Sequence, residues 1–178
     1  MNMPGGSRKN SGFTLLEVLI VLLIFALVMT VVYPSLSRVF DVQFKSSTRI
    51  LAGTVQYAFN QAAMQKNYVR LHYNIDTNEY WITTLTETGE FLEDPLSIIG
   101  RTQLPVGVRF EDVVTLHAGK IDEGETTTMF LPTGMAEPSV IHIASESGEV
   151  FTLIVKPLSG RCEILEGYID LEGMEQTP

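Results

Sequence analysis

From Phe13 to Tyr33 only Thr14, Glu17 and Thr30 interrupt an otherwise apolar run. About 20 such residues are enough to cross a bilayer as a helix. A helix that is apolar on every side is not the amphipathic kind that covers a soluble core. The 12 residues before it, MNMPGGSRKNSG, are polar and carry Arg8 and Lys9 without an acid. A secretory signal would put a shorter apolar stretch before small residues at A-x-A positions. Here Ala26 stands alone, and the run continues through valines and Tyr33 into Pro34. A plain anchor fits the length but leaves Glu17 unexplained. One carboxylate inside an apolar span costs roughly 2.5–3.5 kcal/mol on insertion scales, so such a residue is usually functional.

The segment Gly12-Phe13-Thr14-Leu15-Leu16-Glu17, with basic residues before it and the apolar run after it, resembles the processing site of type IV prepilins and type II secretion pseudopilins. The resemblance implies that a membrane-embedded aspartyl prepilin peptidase cuts after Gly12 and N-methylates the new terminal residue, Phe13. It implies an assembly role for Glu17, fifth in the mature chain, and a helix-weakening role for Pro34. The chemistry agrees. Glycine lets a peptidase approach the backbone closely. Arg8 and Lys9 hold the leader in the cytoplasm, so the rest of the chain faces outward. In a fibre, Glu17 is expected to pair with the Phe13 amine of a neighbouring subunit, because an unpaired carboxylate in an apolar core is costly.

After Pro34 the pattern turns amphipathic. Leu36, Phe40, Phe44, Leu51, Val55, Phe59 and Ala62 recur near helical spacing, with Arg38, Asp41, Lys45 and Arg49 on other faces. One helix is expected to about Lys66, softened at Pro34 and capped at Asn67. From Tyr68 the period becomes two: Val69, Leu71 and Tyr73 alternate with Arg70, His72 and Asn74. Asp76-Thr77-Asn78 reads as the turn of a hairpin into 80–84. Residues 86–107 read as irregular. Further strands are expected near 108–110, 113–117, 127–131, 140–144, 150–156 and 162–165. The order Phe130-Leu131-Pro132-Thr133-Gly134, strand, turn, strand, Leu158-Ser159-Gly160-Arg161 resembles the GspH/FimT group of pseudopilins, which implies a β-sandwich head.

Composition narrows the function. The net charge is −9, and loss of the leader leaves ten basic against 21 acidic residues, a net −11. Such a surface repels phosphate backbones, so no nucleic-acid partner is expected. Arg161 stands beside Glu163 and Glu166, and reads as a turn residue with a local ion pair. Cys162 is alone, so no intramolecular disulfide is available. It reads as a buried, inert thiol. His72, His117 and His142 lack zinc spacing, and no nucleophile elbow or phosphate loop is present. The acidic stretches 87–94 and 122–125 lack the calcium-loop pattern and read as surface loops.

The expected fold is α+β, a long N-terminal helix with a transmembrane first half, packed against a mostly antiparallel β-sandwich head. The expected divisions are a cleaved leader at 1–12, a transmembrane segment at 13–34, an amphipathic half at 35–66, a periplasmic head at 67–170 and a flexible tail at 171–178. No catalysis, metal or cofactor is expected. The resemblance implies a minor pseudopilin of a type II secretion system, near the tip of its pseudopilus, in the bacterial inner membrane with its head in the periplasm. Implied partners are other minor and major pseudopilins, the prepilin peptidase, the inner-membrane assembly platform and membrane lipid. The alternatives are a minor type IV pilin in pilus assembly, adhesion or DNA uptake, and a membrane-anchored periplasmic enzyme.

Overall fold

The structure, a computed structural model, describes residues 14–93 and 99–170, and of residues 31–41 the helical backbone without side chains. One helix, α1 (Leu15–Gln65), is followed by β1 (Val69–Asn74), β2 (Glu79–Leu85), β3 (Phe91–Leu92), β4 (Thr102–Gln103), β5 (Val108–Thr115), β6 (Gly119–Ile121), β7 (Glu125–Leu131), β8 (Met135–Ala136), β9 (Ser139–Ser145), β10 (Val150–Val155) and β11 (Cys162–Glu166). This is the α+β architecture expected. The chain divides into two compact units, Met1–Val39 and Phe40–Pro178.

In the first unit the helical residues with described side chains run from Leu15 to Thr30, 16 residues, and the large apolar ones among them are exposed. Among the described residues no helix is long and apolar enough to cross a membrane. Sixteen residues cover about 24 Å at the helical rise, against a hydrocarbon core of about 30 Å. Pro34, named above for a kink, and the span's last residues lie among positions 31–41, outside the described side chains.

In the second unit, Phe44, Leu51, Val55, Ala58 and Ala62 put one face of α1 wholly into the core. The spacings 7, 4, 3 and 4 keep them on one stripe. Ser47, Thr48 and Thr54 are buried beside them, and each hydroxyl donates to a carbonyl four residues back. Their polar atoms are thereby satisfied without leaving the helix. The helix closes at Lys66, which takes the left-handed conformation with φ 54°. The Asn67 N–H then donates to the Ala62 carbonyl at 3.2 Å, the closing bond of a Schellman motif. Asn67 was the expected cap. It instead ties the helix end to sheet A, donating from Nδ2 to the Leu85 carbonyl at 2.6 Å.

Sheet A has the order β3-β2-β1-β7-β8, with β4 also on β2; sheet B has the order β11-β10-β9-β5-β6. All described ladders are antiparallel. The β1–β2 hairpin forms as read, with Val69, Leu71 and Tyr73 fully buried. Asn78 supplies the positive φ the turn needs and accepts a hydrogen bond from the Phe110 N–H, linking the sheets. Tyr73 meets Phe110 edge-on at 5.8 Å, and Phe44 meets Phe151 at 4.9 Å, so helix and both sheets share one core.

Three strand expectations change. The two short strands near 108 and 113 are one strand, β5, whose register against β9 shifts between Phe110 and Asp112. A bulge there breaks the alternation that a period-two reading relies on. The region read as irregular contributes β3 and β4 at the outer edge of β2. The sequence around His142 reads as an alternating strand, but all seven residues of β9 are buried.

Candidate processing and assembly site

Gly12 and Phe13, named for cleavage and methylation, lie outside the described residues. The description opens on Thr14, which caps α1. Its carbonyl accepts the Glu17 and Val18 N–H groups at 3.0 and 3.2 Å, and its Oγ1 accepts the Glu17 N–H at 3.3 Å. Thr14-Leu15-Leu16-Glu17 therefore has the spacing of a capping box, Thr at the cap and Glu at the third helical position. Sequence reasoning assigned Glu17 to assembly and passed over this local role. The pattern T-x-x-E before an apolar run was the available signal. A carboxylate in the first turn also lies at the favourable end of the helix dipole. Glu17 itself is exposed, and among the described residues its carboxylate has no ion-pair partner.

The head holds one buried group of charges. His142 is fully buried and stands with Nδ1 2.6 Å from Asp112 Oδ1, while its Nε2 donates to the Ile169 carbonyl at 3.0 Å. Asp112, 1% exposed, also accepts from the Tyr168 hydroxyl at 2.9 Å and pairs with Lys120 at 3.2 Å. Lys120 donates to Tyr168 Oη at 2.7 Å; this bond and the Asp112 carboxylate hold its ammonium above the usual range. A His–Asp pair is also the base and orienter of a nucleophilic triad. Here the second imidazole nitrogen is consumed by a backbone carbonyl, and no hydroxyl or thiol bonds to it among the described residues. The group instead fastens residues 167–170 across the outer face of sheet B. Thr152 joins in, donating to the Gly167 carbonyl at 2.6 Å and accepting the Ile169 N–H at 3.0 Å. That cover explains why β9 is buried on both faces.

The remaining candidates resolve into structural contacts. His72 sits on the outer face of sheet A, stacked on Trp81 at 4.9 Å, with Nδ1 donating to Glu125 and Nε2 accepting from Thr83, both at 2.8 Å. Burial lowers its pKa. Burial pushes the Cys162 thiol up to about 12, far from a nucleophile's range. Arg161 has no ion-pair partner among the described residues; Glu163 pairs with Lys156 at 2.9 Å instead, correcting the expected local pair. Within the acidic stretch 122–125, Glu125 is engaged by His72, and the Gly124 N–H donates to Asp76. Among the described residues no three His, Cys, Asp or Glu side chains gather to hold a metal.

Gly160 was noted only as part of the terminal turn. Its φ is +59°, and a Cβ placed on it would lie 2.0 Å from Phe59 Cγ. The backbone of the β10–β11 turn therefore rests directly on a ring of α1, a place only glycine fits.

Residues 7–33 match the prokaryotic N-terminal methylation motif. No curated protein shows significant similarity to the chain. Among solved structures, two of the minor pseudopilin EpsH from the Vibrio cholerae type 2 secretion system align with a TM-score of 0.57. They are 14% and 17% identical, and the alignments cover 70% and 72% of this chain and 97% of theirs. The type IV minor pilin FimU of Pseudomonas aeruginosa aligns at a TM-score of 0.45, with 14% identity over 72% of this chain and 90% of its own. The head shares the fold of the EpsH head. The chain thus joins a prokaryotic N-terminal methylation motif to a head with the fold of the minor pseudopilin EpsH.

Proposed function

We propose that the chain is a minor pseudopilin of a type II secretion system, acting near the tip of the pseudopilus in export of folded proteins across the outer membrane. The observation that carries this reading is the pairing of the methylation motif at 7–33 with an EpsH-like head. The prepilin peptidase cuts after Gly12 and methylates Phe13. The apolar segment from Phe13 to Pro34 holds the subunit in the inner membrane, with the head in the periplasm, until the assembly platform moves it into the fibre. The 16 described residues of that helix leave their apolar side chains exposed, which suits either lipid or neighbouring helices. In the fibre the Glu17 carboxylate meets the Phe13 amine of another pseudopilin.

The deciding experiment deletes the gene and follows two readouts. Loss of extracellular export, with folded cargo retained in the periplasm, supports the secretion assignment. Intact export with loss of surface pili would transfer the chain to the minor type IV pilins. For processing, Gly12→Leu is expected to leave a full-length precursor on a gel; normal cleavage refutes the assigned cut.

A further inference from the structure

Strand β11 ends sheet B and is bonded to β10 on one side only. Among the described residues its other edge carries unpaired backbone donors and acceptors, the template on which an extended segment can add. The side chain next to that edge is unusual. Ile164 is paired with Leu153, which is fully buried, yet Ile164 is 37% exposed. Beyond it α1 presents Lys45, Thr48 and Arg49, and an open wedge of about 350 Å³ remains between helix and strand, floored by Phe151 and Ile164.

The charges in the wedge point the same way. Lys45 and Arg49 have no ion-pair partner among the described residues, although the whole chain is net −9. Against these two cations the wedge holds one carboxylate, Glu166, while Glu149 lines the adjoining cleft that shares Lys45. A second copy of the chain is a poor occupant. Two copies paired edge to edge on a two-fold axis at Ile164 set Glu166 opposite Cys162, which does not line the wedge, so the second copy's carboxylate would not fall between Lys45 and Arg49. A lipid headgroup would use the cations but neither the apolar floor nor the backbone edge.

We infer that the wedge between α1 and β11 receives an extended segment of a different pilin-like subunit. The segment adds to sheet B as a further strand, seats an apolar side chain on Ile164 and Phe151, and sets a carboxylate between Lys45 and Arg49. This rests on the fibre-subunit reading above. The test places a photo-crosslinking benzoylphenylalanine at position 164 of the full-length chain in cells that assemble the fibre. The expected adduct is with another protein that carries its own methylation motif, identified by mass spectrometry. Lys45→Glu together with Arg49→Glu lowers its yield at least tenfold, and the same probe at exposed Val106 gives none. Adducts with a second copy, with lipid or with an unrelated protein overturn the inference, as does a yield indifferent to the charge reversal. Leader cleavage and fibre incorporation are read in the same cells. Normal incorporation without an adduct sinks the wedge alone; a chain that is never processed or incorporated sinks the fibre-subunit reading and this inference with it.

Discussion

Replacing Gly160 with alanine tests whether the last turn is held on the helix by direct backbone-to-ring contact. Two costs add. A residue with a β-carbon pays about 1–2 kcal/mol in the left-handed region that φ +59° demands. The new methyl then falls 2.0, 2.2 and 2.5 Å from Phe59 Cγ, Cδ2 and Cβ, and Phe59 lies partly buried against the core. Overpacking of this kind costs typically 1–3 kcal/mol. The sum, roughly 2–5 kcal/mol, is a large share of an ordinary domain's stability of about 5–15 kcal/mol. Denaturant titration of the detergent-solubilised protein, followed by Trp81 fluorescence, should show the midpoint fall with an unchanged slope. Phe59→Ala removes the two closest ring atoms but keeps a Cβ at 2.5 Å. In that background the added cost of Gly160→Ala should shrink without vanishing, a coupling of about 1–3 kcal/mol. If Gly160→Ala shifts stability by less than about 0.5 kcal/mol, the turn does not rest on Phe59 and the argument is wrong.

Other perturbations separate the remaining contacts. Glu17→Gln retains an N3 side chain able to complete a capping box and removes the charge. It should preserve membrane insertion yet abolish fibre entry, and normal entry would refute amine pairing. Asp112→Asn should release residues 167–170, seen as faster amide exchange there and proteolytic trimming of the C-terminus while sheet A stays protected; unchanged exchange would mean the charges do not hold that segment. With its thiol near 12, Cys162 should alkylate at pH 8 about three orders of magnitude more slowly than a free thiol; rapid labelling of native protein would contradict its burial. His72 has a folded pKa below its unfolded value, so the unfolded chain binds the proton more readily. Its contribution is therefore present above the unfolded pKa of about 6.5 and is lost as pH falls below it. His72→Gln should flatten that part of the stability profile, and an identical slope in both proteins would exclude His72 as its source.

What could be read from residues alone followed what is local. The apolar run and the motif around Gly12, Phe13 and Glu17 are contiguous, and the β1–β2 hairpin announces itself through alternation and the turn at Asp76-Thr77-Asn78. The reading failed where a distant segment changes the environment. Strand β9 loses its period because residues 167–170 cover its outer face, and nothing near Ser139–Ser145 signals that. The Asp112–His142 pair joins positions 30 apart, with Lys120 arriving from β6 and Tyr168 from the segment after β11. The bulge after Phe110 split one strand into two apparent ones. Gly160 stood out by resemblance, but its physical reason, the ring of Phe59, lies about a hundred residues earlier in the chain. The capping role of Thr14 was legible and was masked by the more specific processing motif laid over it.

The join between α1 and sheet A carries a mechanical consequence. From the Schellman turn at Lys66 the chain passes through Asn67 directly into β1, and β1 is an interior strand, laddered to β2 on one side and to β7 on the other. A thrust or pull delivered along the helix therefore enters the head at a strand held from both flanks. The load is shared between two ladders instead of peeling one edge open, the arrangement a subunit needs if it is repeatedly driven by its stem.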